Sequence, residues 1–459
     1  MTELKKNDTA ILSVTDMTES GEGIGRIGGY PLFVKDAVIG DELEVLVTKP
    51  GKSYGYGRVN RLITPSPDRV TPPCPVAAPC GGCQLQALSY AAQLRFKENT
   101  VRQHLTRLGG FAAPAVLPVL GMEEPWRYRN KAQVPFGRDR EGNIVCGYYA
   151  AHSHRIVPMP KEDCLLNGEG FAAVLRILLD FAREYAIEPY DEESGRGLLR
   201  HALLRRGEDS GEWMVSLVIN GRKLPHQEEL VKRLLTVPGM TDISLSVNTK
   251  NTNVIMGEEL LPLYGPGFIT ETVGDLRFRL SPLAFFQVNP RQTERLYQTA
   301  LDFAGLTGRE TVWDLYCGTG SISLFLARRA ARVYGVEIIA PAIENARANA
   351  AANGIGNAEF FVGRSEEIYP QMTAAHRVPP ADVVVLDPPR KGCDQALLDA
   401  LLKEKPERIV YVSCNSATLA RDCRILAAGG YRLEKAQPVD MFCQSCHVET
   451  VVLMSRVKE

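Results

Sequence analysis

Apolar and polar residues alternate in short runs over residues 8–60, and glycines break the runs. Stretches 10–14, 30–34 and 42–47 are the clearest, each with the period of two that marks a strand. Short strands at regular spacing, joined by glycine turns, predict a small closed β-barrel of the OB type. Gly21, Gly23 and Gly25 imitate a phosphate loop, but strand-like residues follow them rather than a helix. A tight turn is predicted there, not a dinucleotide site.

A proline-rich connector over 64–73 leads directly into a group of cysteines. Helical periodicity then covers 90–108, and a mixed region with a helix near 169–186 and a strand at 213–219 runs to 280. Beyond it the texture changes. Strands at 311–315, 332–337, 359–362, 381–387 and 408–413 alternate with helices at 321–329 and 341–353. This alternation predicts an α/β, doubly wound, Rossmann-like and mostly parallel sheet, whose ligands lie beyond the carboxyl ends of the strands. Three regions are expected: a barrel over 1–62, a central α+β domain over 63–280, and the doubly wound domain over 281–459. The chain shows no internal repeat and no low-complexity tract.

Composition narrows the class. The chain has 459 residues, 45% of them hydrophobic and 23% charged, enough for more than one buried core. No apolar run approaches the roughly 18 residues of a membrane span. The first eight residues lack the apolar stretch of a secretory signal. A cytoplasmic monomer without a membrane partner is expected. A formal net charge of −1 does not advertise nucleic-acid binding, yet basic residues are bunched. Lys49, Lys52, Arg58 and Arg61 form one group, Arg95, Lys97, Arg102 and Arg107 a second, and Arg127, Arg129 and Lys131 a third. Such groups dock phosphates or simply face solvent. Eleven cysteines, an odd number, argue against a disulfide framework and for metal binding or reactive thiols.

The strand ending at Asp314 runs into Tyr316, Cys317, Gly318, Thr319 and Gly320, and a helix starts at Ser321. Two glycines let backbone pass close to a ligand. Glu337 ends the next strand, where a carboxylate can accept both ribose hydroxyls. A nicotinamide dinucleotide would want a third glycine where Ser323 stands, so S-adenosylmethionine suits the pattern better, with Ser321 as a further polar contact. Asp387, followed by Pro388, Pro389 and Arg390, ends a buried strand and would project over the sheet edge or cap a helix. Arg390 stands where an N-methyltransferase more often carries an aromatic residue.

The strand at 408–413 runs into Cys414, which therefore faces the same crevice. Uracil C5 is a poor nucleophile, and a thiolate added at C6 would push electron density onto it. A base must then take the C5 proton, and Glu449 is the candidate; in a strand it would share a face with His447. Taken alone, Cys414 would more often be a buried structural thiol and Glu449 more often a surface carboxylate. Their occurrence beside the donor motif favours catalysis. Cys74, Cys80 and Cys83 give C-x5-C-x2-C, and a fourth ligand would come from Cys164 or Cys146. Spacing alone leaves zinc and an iron–sulfur cluster both open.

DLYCGTG at 314–320, DPPR at 387–390, VSCN at 412–415 and HVE at 447–449 resemble, in this order, the RNA uracil-5-methyltransferase family. The resemblance is to its 23S rRNA members and covers essentially the whole chain. It implies an RNA-binding TRAM barrel at the start and a methyltransferase domain at the end. It implies Cys414 as nucleophile and Glu449 as base. With FFQVN at 285–289, it implies that Gln287, Tyr316, Glu337 and Asp387 contact S-adenosylmethionine and that Phe285 packs near a flipped base. A 4Fe–4S cluster on Cys74, Cys80, Cys83 and Cys164 is implied too, with a folding or RNA-docking role. The chain departs from the family at Cys443 and Ser445, where proline and threonine are usual, which bears on the loop before Glu449 and on Cys446. A uridine in the T-loop of transfer RNA is the alternative substrate. An inactive RNA-binding iron–sulfur protein is the other alternative, against which intact Cys414, Asp387 and Glu449 speak.

Overall fold

The computed structural model describes residues 4–160, 163–375 and 377–457. Strands Thr9–Met17, Gly23–Ile27, Tyr30–Lys35, Glu42–Pro50 and Gly55–Thr64 close into a barrel. Period-two alternation turns Leu12, Val14, Leu32, Val34, Leu43, Val45 and Val47 inward, where they form a core of their own. The glycine run that imitated a phosphate loop lies in a hairpin, with Gly23–Ile27 antiparallel to Tyr30–Lys35. Gly25 is required by close approach: a Cβ there would stand 2.5 Å from the Ser13 carbonyl oxygen.

The central region is a seven-stranded sheet running from Glu259–Tyr264 through Met240–Val247, Trp213–Ile219, Leu199–Arg206, Lys131–Arg138 and Ile144–Tyr149 to Ile156–Pro158. Helix Phe171–Glu184 buries Phe171, Val174, Leu175, Leu178, Phe181 and Ala182, the single apolar stripe of an amphipathic helix. That stripe packs with Val134, Leu204, Val215 and Leu217 of the sheet. Earlier in the chain, helix Tyr90–Arg107 starts at Ser89, whose side chain accepts the Ala92 amide at 3.4 Å. It sets Val101 and Leu105 against Leu419, Ala420 and Cys423 of helix Ser416–Ala428.

The carboxyl-terminal sheet orders its strands Ala358–Val362, Arg332–Glu337, Thr311–Leu315, Val383–Leu386, Arg408–Ser413, Glu449–Arg456 and Tyr431–Val439. The first five are parallel, and the sixth runs antiparallel between Arg408–Ser413 and Tyr431–Val439. Parallel neighbours need crossovers, so helices cover both faces. Val312, Val333, Val383, Val410 and Val412 face one apolar layer. Trp313, Leu315, Val384, Leu386 and Tyr411 face the other. Hairpin Ile269–Val273 with Leu276–Leu280 buries Val273, Phe278 and Leu280 in the first of these layers, ahead of the boundary expected near 280. The helix expected over 321–329 is Ser321–Ala327, and the strand expected over 381–387 is Val383–Leu386, so Asp387 stands just past its strand. Among the described residues no helix is long and apolar enough to cross a membrane.

Candidate active site and cysteine cavity

Every chemically interesting side chain of the carboxyl-terminal sheet sits at one end of it. Strand Thr311–Leu315 passes into Tyr316, Gly318 and Gly320, which adopt φ of 75°, 55° and 80°. Left-handed backbone at three alternate positions folds the loop tightly under the start of helix Ser321–Ala327. Glu337, half-buried, ties to this loop: its carboxylate accepts the Gly318 amide at 3.3 Å and the Ile339 amide at 3.0 Å. Ile338 and Ile339 beside it are 57% and 58% exposed, an apolar platform next to a carboxylate. This donor set fits an adenosine: hydroxyl acceptors at the acid, apolar contact beside it, and backbone open at the glycines. The Ser321 hydroxyl is shared with the Tyr297 hydroxyl at 2.8 Å.

Gln287 is buried, Phe286 packs against Phe278 with ring centres 5.5 Å apart, and Phe285 is 68% exposed. Asn289 closes this segment by capping helix Pro290–Ala304 and by donating to the Met441 carbonyl at 3.2 Å. The segment carrying Gln287 is thereby tied to the loop that leads to Glu449.

Strand pairing brings the next groups together. Ser413 stands opposite Thr450 at the end of the antiparallel ladder, so Cys414, just past one strand, and Glu449, the first residue of the other, lie at the same end of the sheet. Asp387 follows the adjacent strand on the other side. Arg390 is held by its backbone, whose carbonyl accepts Asn415 Nδ2 and Thr418 Oγ1, each at 3.2 Å. Burial pushes the Cys414 thiol up to about 11, with Glu449 and Asp387 adding to the shift and Arg390 opposing it. Burial also lifts Glu449 to about 8, reinforced by Asp387 and opposed by Arg390. Asp387 rises to about 7 through burial and Asp314. The crevice is a desolvated acidic site with one guanidinium at its rim, the kind of place where proton transfers near neutral pH are set.

His447 corrects one expectation. It does not share a strand face with Glu449, because strand Glu449–Arg456 begins only at Glu449; His447 lies in the loop before it and is exposed, whereas Glu449 is buried. In that loop Cys443 is fully buried beside the Tyr90 hydroxyl, 3.7 Å away, and Gln444 takes φ of 68°. Sequence reasoning noted Arg390 only as the absence of an aromatic residue and did not single out Ile338 and Ile339. Two isoleucines directly after a strand-ending acid are the signal that was available.

A separate cavity of about 60 Å³ is lined by Cys74, Cys80, Cys83 and Cys164, together with Arg129 and Tyr148. Cys146 lies instead in the apolar core of the central sheet. The Gly82 amide points at Cys80 Sγ, 3.4 Å away, and buried Arg129 Nε has no acceptor among the described residues. Burial pushes the Cys83 thiol up to about 12, with Cys164 and Cys80 adding to the shift. Among the described residues no three His, Cys, Asp or Glu side chains gather as a single metal ion requires. Four thiols and one guanidinium nitrogen without an acceptor line one cavity, a donor set of the kind that iron–sulfur clusters take. None of the eleven cysteines forms a disulfide.

Fold and crevice together define a methyltransferase. Residues 268–457 match the family model described as tRNA (Uracil-5-)-methyltransferase, and residues 5–59 match the TRAM domain. An uncharacterised RNA methyltransferase of Halalkalibacterium halodurans is 49% identical over 98% of both chains. One of Clostridium tetani is 46% identical over 98% of this chain and 97% of its own. The crystal structure of Pyrococcus abyssi tRNA (uracil-54, C5)-methyltransferase with S-adenosyl-L-homocysteine superposes with a TM-score of 0.75 at 28% identity, covering 96% of this chain and 99% of that one. The chain belongs to the S-adenosylmethionine-dependent RNA methyltransferases of the uracil-5 type that carry a TRAM domain.

Proposed function

We propose that this enzyme methylates carbon 5 of a specific uridine in 23S rRNA through a covalent bond between Cys414 and C6 of the base. The observation that carries the reading is the Ser413–Thr450 register, which brings Cys414 and Glu449 to one end of the sheet, with Asp387 following the strand alongside. Gln287, Tyr316, Glu337 and Asp387 hold S-adenosylmethionine, whose sulfonium supplies an electrophilic methyl group when bound. The Cys414 thiolate forms a bond to C6, and the C5–C6 double-bond electrons move onto C5 and O4 as an enolate. C5, now nucleophilic, would bond to the methyl carbon as the S–CH3 bond breaks, its electron pair staying on sulfur and S-adenosylhomocysteine leaving as the neutral thioether. The Glu449 carboxylate then removes the C5 proton, the C–H electron pair re-forms the C5–C6 double bond, and the C6–S bond breaks to release the thiolate. A carboxyl poised at about 8 is matched to that transfer. The uridine must leave its stack, at a cost of about a few kcal/mol, which favours loops over duplex; Phe285 offers an exposed ring to it.

In the same reading residues 1–62 bind RNA, 63–280 hold a 4Fe–4S cluster on Cys74, Cys80, Cys83 and Cys164, and 281–459 perform the chemistry. The four-thiol cavity, with Arg129 Nε left without an acceptor beside it, supports the cluster. A uridine in the transfer-RNA T-loop is the second reading, favoured by the likeness to the Pyrococcus enzyme. Mapping 5-methyluridine in ribosomal and transfer RNA from a strain lacking the protein separates the two. Glu449→Gln should trap a covalent RNA adduct and Cys414→Ala should form none; normal turnover by either variant overturns the mechanism.

A further inference from the structure

We infer that the buried Lys97–Asp440 ion pair, with Tyr90, is a positioning device for the proton-removal step, holding the loop over 440–448 as the wall beside Glu449. The inference rests on the reading of Glu449 as the base.

Val439 and Glu449 face each other in the antiparallel ladder, so residues 440–448 form an irregular loop whose last step delivers Glu449. Such a loop has no ladder to satisfy its carbonyls. Donors from elsewhere in the chain, mostly side chains, take them in turn. Gln292 Nε2 donates to the Asp440 carbonyl at 3.2 Å, Asn289 Nδ2 to that of Met441 at 3.2 Å, and Lys97 Nζ to that of Phe442 at 3.0 Å. The Tyr128 hydroxyl donates to the Cys443 carbonyl at 3.0 Å, and the Gln84 and Leu85 amides donate to that of Gln444 at 3.1 and 3.0 Å. Gln93 Nε2 donates to Gln444 Oε1 at 2.9 Å.

At the head of this loop Lys97 pairs with the Asp440 carboxylate, and both side chains are fully buried. The Tyr90 hydroxyl donates to Asp440 Oδ2 at 2.8 Å and accepts the Met122 amide at 2.8 Å. An ion pair taken wholly out of water is a poor source of stability, because desolvation offsets the attraction, and apolar side chains of similar volume often serve as well. What fixed charges and donors do supply is direction, since the loop meets all of them in one conformation only. That conformation keeps Glu449 buried at 3% exposure. A displacement of about 1 Å in a reacting group can cost about 10²-fold.

The test is the partition of the reaction on RNA carrying tritium at uridine C5, using the full chain. Lys97→Met/Asp440→Asn removes both charges and leaves Tyr90 an acceptor. Methyl entry should stay within about 3-fold of the parent while tritium release slows about 10-fold or more and the adduct accumulates. A folded variant in which both steps keep the parent's ratio overturns the inference, because loss of fold alone lowers both together. Tyr90→Phe removes one hydrogen bond and covers the case in which the double variant does not fold; it should shift the same ratio in the same direction, and a parent-like ratio counts against the inference. If Glu449→Gln traps no adduct, the underlying reading fails instead. If it traps one while the Lys97 and Tyr90 variants partition normally, only the positioning role falls.

Discussion

Arg390 is the cation that the crevice sets against its thiol and carboxyls, and its effect on Cys414 has a definite sign. Removing a positive charge beside a thiol raises its pKa further above about 11, so less thiolate exists at any pH below that value. Arg390→Ala should slow adduct formation with 5-fluorouridine RNA at pH 7.5 by about tenfold, the loss of thiolate that follows when a thiol's pKa rises by about one, and higher pH should recover the rate. Glu449 carries a stability signature as well. Its folded value of about 8 lies above the ordinary value of 4.5, so the folded chain keeps a proton that the unfolded chain releases. The contribution is full below about pH 4 and is lost as pH rises to about 8, by about 1.4 kcal/mol for each pH unit. Denaturant unfolding at pH 5 and pH 8 should show a smaller decline for Glu449→Gln than for the parent. Cys414 and Asp387 could be picked out by type and by place at strand ends, and Glu449 by type and by the motif it closes. Their mutual pKa effects could not, because these depend on how much water the fold excludes.

Helix Ser416–Ala428 carries a cap that also serves the site. Asn415 accepts the Ala417 amide at 3.0 Å through Oδ1 and donates to the Arg390 carbonyl at 3.2 Å through Nδ2. Asn415→Ala should lower stability by about 1 kcal/mol in urea unfolding and slow Cys414 adduct formation, since Arg390 loses an anchor. Strands at 311–315, 332–337 and 408–413 were readable because parallel strands covered on both faces are continuously apolar. Glu449–Arg456 was not assigned to this sheet from sequence, since its antiparallel place between two other strands depends on pairing across the chain. Helix Tyr90–Arg107 was legible from periodicity, but nothing in that periodicity says that Lys97 points inward to Asp440.

At the scale of the whole molecule the cysteine cavity joins a segment at 74–83 to Cys164, far along the chain. On the proposal that this cavity holds a 4Fe–4S cluster, Cys80→Ser should lower bound iron and remove the visible absorption of iron–thiolate charge transfer, measured on protein purified without oxygen. Cys146→Ser should keep both, because that thiol packs in the apolar core. Iron retained by Cys80→Ser would exclude it as a ligand.

What the chain determined by itself was its alternation: period two in the barrel, strand and helix in turn at the carboxyl end, and acid, glycine and cysteine residues at strand termini. Local stereochemistry and the solvation of single side chains are enough to write those features. Tertiary structure alone decided which termini meet. It brought Glu449 to the same sheet end as Cys414, moved His447 out to solvent, chose Cys164 over Cys146 at the cavity, and buried Lys97 against Asp440. The reason is physical: desolvation and pairing energies belong to groups far apart in sequence, and they have no value until the chain has closed around them.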